Sequence, residues 1–229
     1  MPSRQIYLAS SLAFCTCFMP FCAVAGSDLE PATLLEKMEL AYDKVKDYQA
    51  NIEVRTSKKD GSFDTEKFLY TFKKPEMIRL DFESPHSGMI LVYPDPKGKV
   101  WVRPWPFFPF FKLHLEPGDP MLASPSGQHI DQTDLGLLIR KIGHSLTDQR
   151  RGPPEVIEKD GTIEIQVLAD NHFREGVLTI YRFSIDKELW LPVKVEESDA
   201  IGRLERTMIF RNLRTNISVP DSLFRLAGD

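Results

Sequence analysis

The residues of this chain best suited to acid–base or metal chemistry are its histidines, His86, His114, His129, His144 and His172. No two of them stand at the helical spacing that holds zinc, and none belongs to a His-Glu-x-x-His string. A Gly-x-Ser-x-Gly elbow and a phosphate-cradling glycine loop are also missing. The nearest approach to a constellation is Asp119, His129 and Asp131, in a stretch rich in Pro, Gly, Ser and Asp. Two acids and one histidine in such a loop read as polar surface. Cys15, Cys17 and Cys22 all lie near the N-terminus, so the rest of the chain has no thiolate nucleophile, thiolate ligand or disulfide. No catalytic residue, metal or cofactor is therefore expected.

The other conspicuous chemistry is apolar. Trp105-Pro106-Phe107-Phe108-Pro109-Phe110-Phe111 packs five aromatics and two prolines into seven residues. Proline has no amide proton for a strand ladder, so this segment is not a central strand. Two readings remain. It is a hydrophobic loop that lines a cavity mouth or touches a membrane or partner, with Trp105, Phe107 and Phe108 as ligand contacts, or it is a plug at one end of a barrel.

The 229 residues are 42% apolar and 27% charged, a globular balance. The net charge is −4 with no concentrated basic surface, which argues against a nucleic-acid partner. In the first 25 residues Arg4 is the lone charged side chain, an apolar run follows from Ile6, and Ala23-Val24-Ala25 ends it. That is the layout of a cleavable secretory signal. Residues 1–25 are expected to be a signal peptide and 26–229 a single periplasmic domain, acting as a monomer.

The elements follow from periodicity. Leu34, Met38, Ala41, Tyr42 and Val45 form one apolar stripe, which predicts a helix over 28–46 with Asp28 as N-cap. The period then changes to two. Tyr48, Ala50, Ile52 and Val54 alternate with polar residues, an Asp60-Gly61 turn follows, and Phe68, Tyr70 and Phe72 alternate again. Short strands recur about every ten residues through Arg103, with Met77–Phe82, Met89–Tyr93 and Val100–Arg103 among them. Residues 116–134 read as a loop, and 134–146 as a second helix with Leu135, Leu138, Ile139 and Ile142 on one face, weakened by Gly136 and Gly143. Strands resume from Glu155 to Phe210, and Phe224 with Leu226 reads as a last short edge strand. The expected fold is mainly β with two helices: a curled antiparallel sheet, a half-barrel of about 10–11 strands, capped by the helices over an apolar cavity. Tyr48, Ile52, Phe68, Tyr70, Phe72, Leu80, Phe82 and Trp101 are candidates to face the ligand, with Leu135, Leu138 and Ile139 as lid residues. The same pattern would make a packed core.

The order of these elements and several local strings resemble the outer-membrane lipoprotein carrier family, the LolA-like proteins. The likeness starts at Val45-Lys46-Asp47-Tyr48 and continues in Phe72-Lys73-Lys74-Pro75-Glu76-Met77-Ile78-Arg79. It runs through Leu91-Val92-Tyr93 and Val100-Trp101-Val102-Arg103-Pro104 to Leu191-Pro192-Val193 and Phe210-Arg211-Asn212. Each string is short, and their shared order carries the resemblance. It implies a half-barrel closed by helices, an apolar cavity for acyl chains, and periplasmic movement of a lipid or acylated lipoprotein between a donor and an acceptor membrane protein. The best-known carriers have an arginine before the proline that controls the lid. Lys74 stands there here, and it and Arg79 are candidates to latch a helix or meet a lipid headgroup. The same fold also serves envelope stress sensors and interaction modules, the alternative reading.

Overall fold

The computed structural model describes residues 29–108, 110–122, 124, 127–147 and 152–226. The expected signal segment, residues 1–25, lies outside them, as does Asp28. Helix α1 spans Pro31–Asp43 and is followed by β1 (Asp47–Ser57), β2 (Phe63–Lys73), β3 (Met77–Ser84), β4 (Ile90–Tyr93), β5 (Val100–Arg103) and β6 (Leu113–Leu115). Helix α2 (Leu135–Thr147) leads into β7 (Glu155–Glu158), β8 (Thr162–Asp170), β9 (Leu178–Asp186), β10 (Pro192–Asp199) and β11 (Leu204–Thr215).

All eleven strands form one antiparallel sheet in the order β6-β5-β4-β3-β2-β1-β11-β10-β9-β8-β7. It is two meanders joined where β1 pairs with β11. The sheet does not close: β6 and β7 are its edges, and it curls as a half-barrel with both helices on one face. The period-2 reading holds in detail. In β8, Ile163, Ile165, Val167 and Ala169 are buried while their neighbours are only partly covered. The Asp60–Gly61 turn joins β1 to β2, with the Asp60 carboxylate accepting the Ser62 amide and Gly61 at φ +82°.

Four local expectations change. Helix α1 begins at Pro31 after Glu30, and ends at Asp43 instead of residue 46. It stops because Asp47 is already a strand residue whose carboxylate accepts the amides of Ile217 and Val219. Within 116–134 a 3-10 turn forms at Ile130–Gln132. Residues 113–115, given no element by the pattern, add β6 beside β5. Phe224 and Leu226 form no edge strand. After a 3-10 turn at Asp221–Phe224 they pack with Val219 on the convex face, against Ile90, Val92 and Trp101.

The two glycines of α2 are where α1 crosses it. A Cβ on Gly136 would lie 2.3 Å from Tyr42 Cε1, and one on Gly143 would come within 2.9 Å of Leu35 Cδ2. Two turns apart, they open one face of α2 to α1. In isolation Gly136→Ala would strengthen the helix by about 1 kcal/mol. Here overpacking dominates, and we expect a net loss of about 1–3 kcal/mol in urea unfolding. An increase in stability would refute this packing.

Candidate functional site

The concave face divides into two halves. On one, the helices are packed onto the sheet. Tyr48 stacks between Tyr70 and Phe72, with ring centroids 5.7 and 5.0 Å away. Its hydroxyl accepts the Leu135 amide at the start of α2 (3.0 Å). Tyr42 donates to Asp134 Oδ1 (3.0 Å), which also accepts the Leu137 amide, and Tyr70 is hydrogen bonded to Thr133 Oγ1 (3.0 Å). Three tyrosines from α1, β1 and β2 therefore hold residues 133–135, and with them the entry to α2. Burial pushes all three phenols above their usual range.

On the other half the sheet is uncovered by helix, and a groove of about 320 Å³ runs across the strands. Its floor is Ile52 and Val54 of β1, Phe68 and Tyr70 of β2, Leu80 and Phe82 of β3, continuing through Leu91 and Val102 to β6. Its roof is the connection before α2, through Leu122, Gln128 and Ile130. Its mouth is edged by His86, Pro104 and the exposed Met121. The lining is mostly carbon, and the volume falls within the range of small-molecule sites.

The aromatic segment sits beside this mouth, between β5 and β6. It is no plug: Phe107 is 70% and Phe110 91% exposed, and Trp105, Phe108 and Phe111 are exposed too. The rings pack mainly on one another, with Trp105–Phe111 at 5.5 Å and Phe107–Phe108 at 5.1 Å. Gly88, beside the groove residue Met89, anchors the segment. At φ +81°, with Pro106 Cγ 2.8 Å from where a Cβ would lie, only glycine fits.

At the opposite end, on β11, the groove reaches the charged Arg206, whose partner Glu197 stands on β10. Arg206 and Glu197 face each other across the two strands, 3.2 Å apart and both buried. A small crevice of about 20 Å³ opens there, bordered by Lys141, His172, Asp134 and the same Arg206 and Glu197. Lys141 of α2 lies 3.4 Å over the Phe173 ring. Burial, reinforced by the Arg206 charge, pulls its amine down to about 8.

His172 stacks on Tyr181 at 4.2 Å, and its Nε2 lies 2.8 Å from Ser145 Oγ. Burial, with the charges of Lys141 and His144, holds its pKa down at about 3. The folded state thus keeps this imidazole neutral, while the unfolded chain takes up a proton near 6.5. The contribution is complete above about pH 6.5 and is lost as pH falls towards 3. At pH 4.5 the wild type should have lost on the order of 2–3 kcal/mol more than His172→Phe, by urea unfolding at pH 7.5 and 4.5. Parallel losses in the two proteins would contradict this.

Lys74 apart, the sequence candidates fall into four groups. Ile52, Phe68, Tyr70, Leu80 and Phe82 line the groove. Tyr48, Phe72, Leu135 and Ile139 are buried in the helix-covered half, and Leu138 borders the crevice. Trp105, Phe107 and Phe108 stand outside, in the exposed loop. Trp101 and Arg79 are on the convex face. Trp101 donates to His114 Nδ1 there, while Arg79 bonds Asp81 and the Leu223 carbonyl and so fastens the C-terminal segment. Arg79 lies between Ile78 and Leu80, and a strand turns successive side chains to opposite faces.

Lys74 holds the end of α1. Its ammonium donates to the carbonyls of Tyr42 (2.9 Å) and Asp43 (3.3 Å) and lies 4.5 Å over the Tyr42 ring. A cation there complements the helix C-terminus. Lys74→Met should cost about 1–2 kcal/mol in urea unfolding, with Lys74→Arg close to wild type. An unchanged Lys74→Met would remove the latch from this account.

Sequence reasoning missed Arg206, Glu197 and Lys141. The signal was present for the first: Arg206, Met208 and Phe210 alternate on one face of β11, all toward the groove. Among the described residues no group of three or more His, Cys, Asp and Glu is placed to hold a metal, and no helix is long and apolar enough to cross a membrane.

No protein-family model matches the sequence, and no curated protein matches it. Solved structures are similar. A DUF1329 family protein from Desulfovibrio piger shares 13% identity over 85% of this chain and 95% of its own, with TM-score 0.45. A LolA superfamily protein from Nitrosomonas europaea shares 14% over 86% and 98%, with TM-score 0.39. The lipoprotein LppX of Mycobacterium tuberculosis shares 14% over 84% and 99%, with TM-score 0.42. Values this low assign no function to the chain.

Proposed function

We propose that this chain binds the acyl chain of a lipid or acylated lipoprotein in its groove and carries it between membranes of the cell envelope. The observation that carries the reading is the 320 Å³ groove itself, apolar along its floor and left open by the helices that pack the rest of the concave face. Each methylene moved into such a groove contributes about 0.8 kcal/mol. The exposed aromatic loop beside the mouth supports the same reading. Trp and Phe rings favour the boundary between water and lipid, so the loop would set the mouth against a membrane surface. The apolar, small-residue layout of the first 25 residues supports export to the envelope.

The test is transfer of a fluorescent acyl lipid between donor and acceptor vesicles. The expected result is a rate that rises in proportion to protein concentration. A protein that takes up the lipid without speeding its transfer would be a binding or sensing module. A protein that takes up none would contradict the groove reading altogether.

A further inference from the structure

The two ends of the groove differ. One is the mouth, edged by His86, Pro104 and the exposed Met121, with the aromatic loop beside it. At the other, Gln128, Thr133, Arg206, Met208 and Phe210 line both the groove and the crevice behind it, so these five residues are the wall between the two. Met208 and Phe210 carry the apolar floor onto β11, opposite Val54 and Ile52 of β1.

The polar side chains of this wall are engaged with the protein. Arg206 donates to Glu197 (3.2 Å) and to Gln128 Oε1 (3.4 Å). Gln128 Nε2 donates to the Gln132 carbonyl (2.8 Å), and Thr133 Oγ1 to the Ile130 carbonyl (2.7 Å). Behind the wall the charges balance, with Arg206 and Lys141 set against Glu197 and Asp134. The crevice there, at about 20 Å³, has room for about one water-sized group. It offers neither an unmatched charge to capture a headgroup nor the space to continue a chain.

We propose that this wall is a length stop: an acyl chain enters methyl end first, its headgroup stays outside at the mouth, and Met208 and Phe210 set the longest chain that the groove takes up. This rests on the groove binding acyl chains at all. From Val102 on β5 to Phe210 on β11 the sheet advances five strand spacings, roughly 24 Å along its curve at about 4.8 Å each. An extended chain advances about 1.2 Å per bond, since three backbone bonds span about 3.6 Å. The floor therefore accommodates about 20 carbons at most, and fewer along the shorter path over its concave side. A methylene beyond the stop remains in water and adds nothing to affinity.

The experiment is displacement of cis-parinaric acid from the full chain by saturated fatty acids of increasing length, from 8 to 22 carbons. Affinity should rise by up to about fourfold per methylene and then level off at or below about 20 carbons. Met208→Ala removes three heavy atoms from the wall and should move that break out by about two carbons. A second measurement needs no variant. Dodecanoic acid with a bulky fluorophore on its terminal carbon should bind the wild type at least tenfold more weakly than the same fluorophore carried on the carboxyl group. A rise that continues through 22 carbons, a break that a folded Met208→Ala leaves in place, or equal binding of the two labelled chains would overturn the length stop and leave the acyl groove standing. No binding of the probe or of any acid in the series would overturn the groove reading itself.

Discussion

Leu91→Trp is expected to weaken acyl-chain binding at least tenfold while leaving the domain as stable as the wild type. Leu91 is buried on β4, pairs with Leu80 and Val102 across the strands, and faces the groove. An indole there projects into volume that is open in the structure, so it meets little of the overpacking that a filled core imposes. It takes space that the ligand's methylenes would occupy, at about 0.8 kcal/mol each. Two lost methylenes already exceed the roughly 1.4 kcal/mol of a tenfold change. The measurement is probe displacement alongside urea unfolding. Unchanged affinity with a folded protein would place the ligand elsewhere.

The second large effect lies outside the groove. Phe107→Ser/Phe108→Ser should reduce co-sedimentation with phospholipid vesicles at least fivefold and slow lipid transfer accordingly. Both rings are exposed and pack mainly on each other, so surface substitutions at these positions should change stability by no more than about 0.5 kcal/mol. Neither ring lines the groove. Affinity for a monomeric acid in solution should therefore fall far less than vesicle binding. Equal losses in the two assays would mean that the loop closes over the ligand instead of meeting the membrane. Wild-type vesicle binding would remove the loop from the account.

Much of this fold is legible in the sequence because a strand that buries one face must alternate. Ile163, Ile165, Val167 and Ala169 announce β8, and Asp60–Gly61 announces the first hairpin. The same rule explains what is hidden. Alternation sends Tyr48 and Ile52 to one face of β1, but only the tertiary arrangement decides that Tyr48 meets α2 and Ile52 meets open space. Phe224 and Leu226 satisfy the strand period by accident of spacing. What places them is the apolar surface around Trp101 on the convex face, which no local pattern reveals. Arg206 and Glu197 read as solvated charges because each stands among polar neighbours. Their pairing across β10 and β11 depends on a register between strands joined by the turn at Gly202. The glycines of α2 look like weak points and are contact points, since the helix that presses on them lies some hundred residues away in the chain.

The most direct test of the central claim is native mass spectrometry of the protein purified gently from its own cells, followed by extraction of any bound mass. The expected result is a one-to-one complex that releases an acyl-chain compound and reverts to the bare chain mass on delipidation. A protein that carries no added mass, and takes up no fatty acid or lipid when offered one in excess, would contradict it.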